Sequence, residues 1–94
     1  MTYAEKLARI FKVFSVEARV LIVQTLKNKS MCVTELTGLL GITQEATSQH
    51  LKVLRETGIV RFQKRGYNVY YSLNNQNMAI LFKAISVLFE PGNA

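Results

Sequence analysis

The sequence has no aspartate, one histidine (His50) and one cysteine (Cys32), and its six acidic side chains are all glutamates scattered along 94 residues. Most hydrolytic, metal-dependent and nucleophilic sites draw two or more groups at close quarters from His, Cys, Asp and Glu. Catalysis is therefore not expected, and neither is a cofactor. A single Cys excludes a disulfide within the chain and fits a reducing compartment. No run of about eighteen apolar residues occurs, so no spanning helix and no membrane partner are expected. Thr2, Tyr3, Glu5, Lys6 and Arg9 interrupt any apolar stretch that a signal peptide would need, which points to a cytoplasmic location. Repeats, low-complexity segments and linkers are missing as well, and residues 1–94 read as one domain.

Against the six Glu stand twelve Lys and Arg, a formal net charge of +6. Such an excess on a small domain favours a polyanionic partner, nucleic acid or an anionic membrane surface, because neutralising phosphates releases counterions. A chain of this length buries only about 60–70% of its unfolded surface. With 49% hydrophobic residues and no disulfide, it needs dense helix packing or a second subunit over its apolar surface, so a homodimer is expected.

Tyr3, Leu7, Ile10 and Phe14 recur at helical spacing with Phe11 alongside, and Glu5, Lys6, Arg9 and Lys12 fall on the other face. This predicts an amphipathic helix over residues 3–14. Ser15 is expected to cap a second, central helix that reaches about Lys27. A short third helix, Val33 to Leu40, turns Leu36, Leu39 and Leu40 inward and stops at Gly41. Thr43 then caps a fourth helix, Gln44 to Thr57, with Thr47, Leu51 and Leu54 inward and Gly58 closing it in the left-handed conformation.

Beyond Gly58 the period changes from 3.6 to 2. Val60 and Phe62 alternate with Arg61 and Gln63, Arg65 to Asn68 form a turn, and Val69, Tyr71 and Leu73 alternate with Tyr70 and Ser72. Helical spacing returns over about 77–89 with Met78, Leu81, Phe82, Ile85, Leu88 and Phe89, and Pro91-Gly92 ends it. The expected fold is mainly α with a small β-hairpin, in the order ααααββα.

Two short helices joined by a tight Gly-containing turn, the second exposing small polar groups in its N-terminal half, have helix-turn-helix geometry, and the hairpin adds a wing. With Thr47, Leu51 and Leu54 inward, the outward positions are Gln44, Glu45, Ser48, Gln49, Lys52 and Arg55. Such side chains can reach base edges in a major groove, Gln making bidentate contact with adenine. Thr43, His50, Lys52, Lys64 and Arg65 are expected to hold the DNA backbone. Two roles are open to His50, a phosphate contact or a satisfied half-buried imidazole. Tyr67 is open to contact with the sugar-phosphate edge or to service as a turn aromatic, whereas Tyr70 and Tyr71 suit strand packing. Arg55 suits a phosphate or a partner in its own subunit, and Arg19 an ion pair within the fold.

The run Thr34-Glu35-Leu36-Thr37-Gly38-Leu39-Leu40-Gly41-Ile42-Thr43-Gln44-Glu45-Ala46-Thr47-Ser48-Gln49-His50-Leu51-Lys52-Val53-Leu54-Arg55-Glu56-Thr57-Gly58-Ile59-Val60 resembles the core of the ArsR family of winged-helix transcriptional repressors. The resemblance continues through Arg65-Gly66-Tyr67-Asn68-Val69-Tyr70-Tyr71-Ser72-Leu73, which is similar to that family's Arg-Gly and Tyr-Tyr-x-Leu pattern. It implies a homodimer whose first and last helices pair across a two-fold axis, each fourth helix entering one half-site of an inverted-repeat operator in double-stranded DNA. The dimer residues are then Leu7, Ile10, Phe11, Phe14, Met78, Leu81, Phe82, Ile85, Leu88 and Phe89.

The chain departs from the family's metal sensors. Their Cys-Val-Cys-Asp-Leu run is here Cys32-Val33-Thr34-Glu35-Leu36, and the Asp and His of their last helix are missing. One thiolate does not hold a soft metal tightly, so regulation without a metal is expected and the inducer stays unknown. Cys32, at a helix start, is a candidate redox position, although a second Cys to resolve a sulfenic acid is lacking. Ser15-Val16-Glu17-Ala18-Arg19 stands where the family usually has Asp-Pro-x-Arg. Rival readings are a winged-helix protein-interaction module, a redox-responsive regulator acting through Cys32, and a general nucleic-acid binder that uses charge alone.

Overall fold

A computed structural model describes residues 1–92. Helix α1 (Tyr3–Val13) opens on a capping box: Thr2 Oγ1 accepts the Glu5 N–H at 3.1 Å, and Glu5 Oε1 accepts the Thr2 N–H at 3.3 Å. Ser15 does not cap the second helix. Its hydroxyl donates backward to the Lys12 carbonyl at 2.6 Å and closes α1 instead, and Val16 occupies the N-cap of α2 (Glu17–Leu26) with no side-chain bond. A serine between two helices can satisfy either one, and here both its hydroxyl and its N–H, the latter at 3.2 Å, go to the Lys12 carbonyl.

A two-residue strand, β1 (Met31–Cys32), precedes α3 (Val33–Leu40) and was not expected from the sequence. Two residues carry no period, and the strand exists only by pairing Met31 with Tyr71 and Cys32 with Tyr70. Then follow α4 (Gln44–Glu56), β2 (Val60–Arg65), β3 (Asn68–Leu73) and α5 (Asn75–Leu88). The order ααααββα thus becomes ααβααββα, and the hairpin is part of a three-stranded antiparallel sheet with β3 central. Its loop is only Gly66-Tyr67, with Gly66 at φ +62°, so the strands run further than the alternation suggested. Helix α5 begins two residues earlier than its apolar pattern because Asn74 accepts the Asn77 N–H at 3.1 Å.

The core joins Ile22, Val23 and Leu26 of α2 to Leu36, Leu51 and Leu54, to Ile59 of the turn before β2, and to Met31, Val60 and Leu73 of the sheet. Each fully buried Leu or Ile contributes about 1.5–3 kcal/mol of transfer free energy. On α3, Leu36 is buried, but Leu39 is 65% exposed rather than inward. Gly58, at φ +77°, ends α4: its N–H donates to the Arg55 carbonyl and that of Ile59 to the Leu54 carbonyl, both at 2.9 Å. Asn77 Nδ2 donates to the Gly58 carbonyl at 2.9 Å and ties that turn to α5. The radius of gyration, 14.8 Å, exceeds the roughly 12.4 Å of a compact chain of this length.

Candidate nucleic-acid interface

The angle between α3 and α4 is set by a chain of hydroxyls. Gly41 at φ +66° reverses the backbone, and its N–H donates to the Thr37 carbonyl at 3.0 Å. Thr43 Oγ1 accepts the Ala46 N–H at 3.1 Å and caps α4. Thr47, wholly buried, donates to the Thr43 carbonyl at 3.0 Å and accepts the Thr37 hydroxyl at 2.8 Å. Every hydrogen in this chain has a use, which is what allows a threonine in the core.

With Thr47, Leu51 and Leu54 buried, the opposite face of α4 is exposed and carries Gln44, Ser48 and Lys52 in one row at spacing four, with Glu45 and Gln49 in the next. The row starts at the helix N-terminus, whose partial positive charge and free N–H groups favour an anion. Arg55 lies one turn further on, its guanidinium 5.1 Å from the centre of the Phe62 ring. It meets a group of its own subunit, and that contact braces the wing against α4.

His50 is half-buried beneath this face, with Nδ1 accepting from Arg19 Nε at 3.2 Å. Burial, and then the Arg19 charge, hold its pKa below the usual 6.5. A neutral ring that accepts at Nδ1 carries its proton on Nε2, leaving one donor free. Arg19 Nη1 also donates to the Val13 carbonyl at 3.4 Å. Among the described residues Arg19 therefore makes no ion pair; its partners are a neutral imidazole and a backbone oxygen.

In the wing Lys64, Arg65 and Tyr67 are all exposed, Tyr67 completely. Lys64 and Arg65 fall on opposite faces, because side chains alternate along a strand. Arg65 is held 5.3 Å from the Tyr70 ring centre and donates to Gln63 Oε1 at 3.3 Å. From Thr57 to Phe89 the chain contains no acid at all.

Helix α5 has no buried residue, although most of its side chains are apolar. Phe82 is 73% exposed, and Leu88 and Phe89 also face solvent. Phe11 of α1 and Phe14, its C-cap, line an apolar groove of about 270 Å³ with Met78, Leu81, Phe82 and Ile85 of α5. Ile10 is half-buried. Leu7 differs from the other expected dimer residues, since its own protomer already buries it.

Cys32 is half-buried at the start of α3, and its N–H donates to Glu35 Oε1 at 3.2 Å. That bond is the main cause of a lowered Glu35 pKa, with Lys29 at 3.7 Å contributing. Among the described residues no three His, Cys or Glu side chains gather in a way that could hold a metal ion, and no helix is long and apolar enough to cross a membrane.

The family model described as bacterial regulatory protein, arsR family, matches residues 17–61. A helix-turn-helix-type transcriptional regulator of Methanocaldococcus jannaschii is 38% identical over 82% of this chain and 89% of its own length. A transcriptional repressor SmtB homolog of Synechocystis is 26% identical over 88% of the chain, which spans 63% of that protein. Among solved structures, the homodimeric winged helix-turn-helix DNA-binding domain Mb0332 of Mycobacterium bovis superposes with a TM-score of 0.74 over 97% of this chain and 88% of that one, at 22% identity. The matched family consists of DNA-binding transcriptional regulators, not enzymes. Buried α3–α4 corner, polar outward face, three-stranded wing and sequence match agree, and the chain belongs to the ArsR family of winged helix-turn-helix transcriptional regulators.

Proposed function

We propose that this chain is a homodimeric, sequence-specific repressor that binds an inverted-repeat operator in the cytoplasm without a metal ion. The observation that carries the reading is α4: its buried side is Thr47, Leu51 and Leu54, and its exposed side opens with Gln44, Ser48 and Gln49 beside an acid-free wing. Short polar groups at a helix start reach base edges, so Gln44, Ser48 and Gln49 read sequence. Thr43, Lys52, Lys64, Arg65, Tyr67 and the free Nε2 of His50 hold the backbone. Dimerisation follows from α5, which its own protomer covers only in part: no residue of it is buried, and Phe82, Leu88 and Phe89 stay exposed. Ile10, Phe11, Phe14, Met78, Leu81, Phe82, Ile85, Leu88 and Phe89 form that contact, and Leu7 supports it from within. Metal independence rests on residue types, with Thr34 where a second thiolate would stand.

The test begins with selection of a bound sequence from a random duplex pool. The reading expects a two-fold symmetric site with half-site centres about one helical turn apart, bound as a dimer with strong salt dependence. It also expects binding to survive a chelator. Binding that ignores sequence refutes it.

A further inference from the structure

We infer that the outer face of the wing sheet is a second phosphate-binding surface that engages the DNA backbone outside the half-site read by α4. The inference rests on the DNA-binding reading above, in which Arg65 alone of this face holds the backbone, and extends it to Arg61 and the surface between the two arginines. In the sheet register Arg61 lies opposite Ser72, Gln63 opposite Tyr70, and Arg65 opposite Asn68. These pairs share one face, since Val60, Met31 and Leu73 of the alternate set are buried and Phe62 meets Arg55 of α4. The face bearing Arg61 and Arg65 is therefore turned away from the recognition helix.

It is concave and polar. A depression of about 430 Å³ is lined by Ser30, Arg61, Phe62, Gln63, Arg65, Tyr70 and Ser72, with Phe62 its one aliphatic or all-carbon aromatic side chain, and no acid is among them. The nearest acid along β1 and α3, Glu35, is paired with Lys29. Arg65 is already oriented by the Tyr70 ring and by Gln63, so little side-chain freedom is lost when an oxyanion binds. Arg61 and Arg65 are four residues apart on one strand, about 13 Å. Two guanidinium groups at that spacing, the one at Arg65 already oriented, with hydroxyls between, suit a row of phosphates on one strand better than a single small anion. Because the face looks away from α4, the phosphates it meets belong to DNA that continues past the half-site and curves toward the protein.

The experiment uses the selected operator in two duplexes, one ending flush with the half-sites and one extended by about one helical turn on each side. Wild-type protein is expected to bind the extended duplex more tightly and with a steeper salt dependence. Arg61→Gln, an exposed substitution whose fold is checked by its melting curve, should lose about three- to tenfold on the extended duplex and bind the flush one like wild type. Its salt slope on the extended duplex should fall by about 1. Arg61→Lys, which keeps the charge, should retain part of the gain. Equal loss on both duplexes, loss on neither, or a wild type indifferent to length overturns the inference while leaving the operator reading intact. Inorganic phosphate shifting the Arg61 side-chain NMR signals, with no dependence on duplex length, assigns the face to a small anion and likewise overturns it. If the flush operator is bound no better than random DNA, the operator reading itself has failed and the flank it defines goes with it.

Discussion

Thr37 donates its hydroxyl to Thr47 Oγ1 across 2.8 Å, and Thr47 passes its own hydrogen to the Thr43 carbonyl, so one buried hydroxyl sets how α4 leaves the turn. Thr47→Val keeps the shape and removes both bonds. It should lower stability by about 1–3 kcal/mol, read as a shift in urea midpoint at fixed protomer concentration. An unchanged midpoint would show that the hydroxyl chain carries no net stability.

His50 predicts a pH dependence. Its pKa in the fold lies below the ordinary 6.5, so between the two values the unfolded chain binds more protons than the folded one. Stability is then full above 6.5 and declines as pH falls through the folded value. Melting temperature should drop from about pH 7.5 to 5.5 in the wild type, and His50→Gln should flatten that slope. A variant with the same slope would place the titration elsewhere.

Gly58 sits at φ +77°, and a Cβ there would come within 2.8 Å of Asn77 Nδ2. Gly58→Ala should destabilise by about 1–2 kcal/mol. Adding Asn77→Ala removes the crowding but not the backbone strain, so the double variant should not regain wild-type stability in thermal unfolding.

On DNA, Gln44→Ala should narrow the gap between operator and random duplex, since Gln44 is proposed to read a base. Arg65→Ala should weaken both about equally and reduce the salt slope by about 1. Parallel losses for the two variants in competition shift assays would count against the division between reading and anchoring.

Phe82→Glu places a charge on the uncovered face of α5 without touching a buried side chain. Sedimentation should show a dimer for the wild type and monomers for the variant, and operator affinity should fall about 100-fold or more as the second half-site is lost. A dimer that survives this change would move the interface off Phe82.

The helices and the polar face of α4 could be read from local pattern. Thr47, Leu51 and Leu54 at spacing four and three state which side of α4 turns inward, and the cap at Thr43 and the glycines at 41 and 58 mark ends by chemistry confined to a few residues. The wing was visible because its alternation runs long enough to count. Other features escaped such reading. Ser15 had two helix ends within reach, Leu39 lies on an apolar stripe wider than the surface available to cover it, and the side of α1 that carries Leu7 is covered by its own protomer, which spacing along one helix does not show.

Composition, charge and the run from Thr34 to Leu73 were enough to argue for a winged helix that meets DNA and against catalysis. They could not produce β1, whose two residues are a strand only because Tyr70 and Tyr71 lie beside them. Nor could they pair Arg19 with His50, 31 residues away, stack Arg55 on Phe62, or separate Lys64 from Arg65 onto opposite faces of the sheet. Periodicity describes each element relative to its own axis. Which face is covered, and which arginine is left free to bind, depends on where the other elements come to rest.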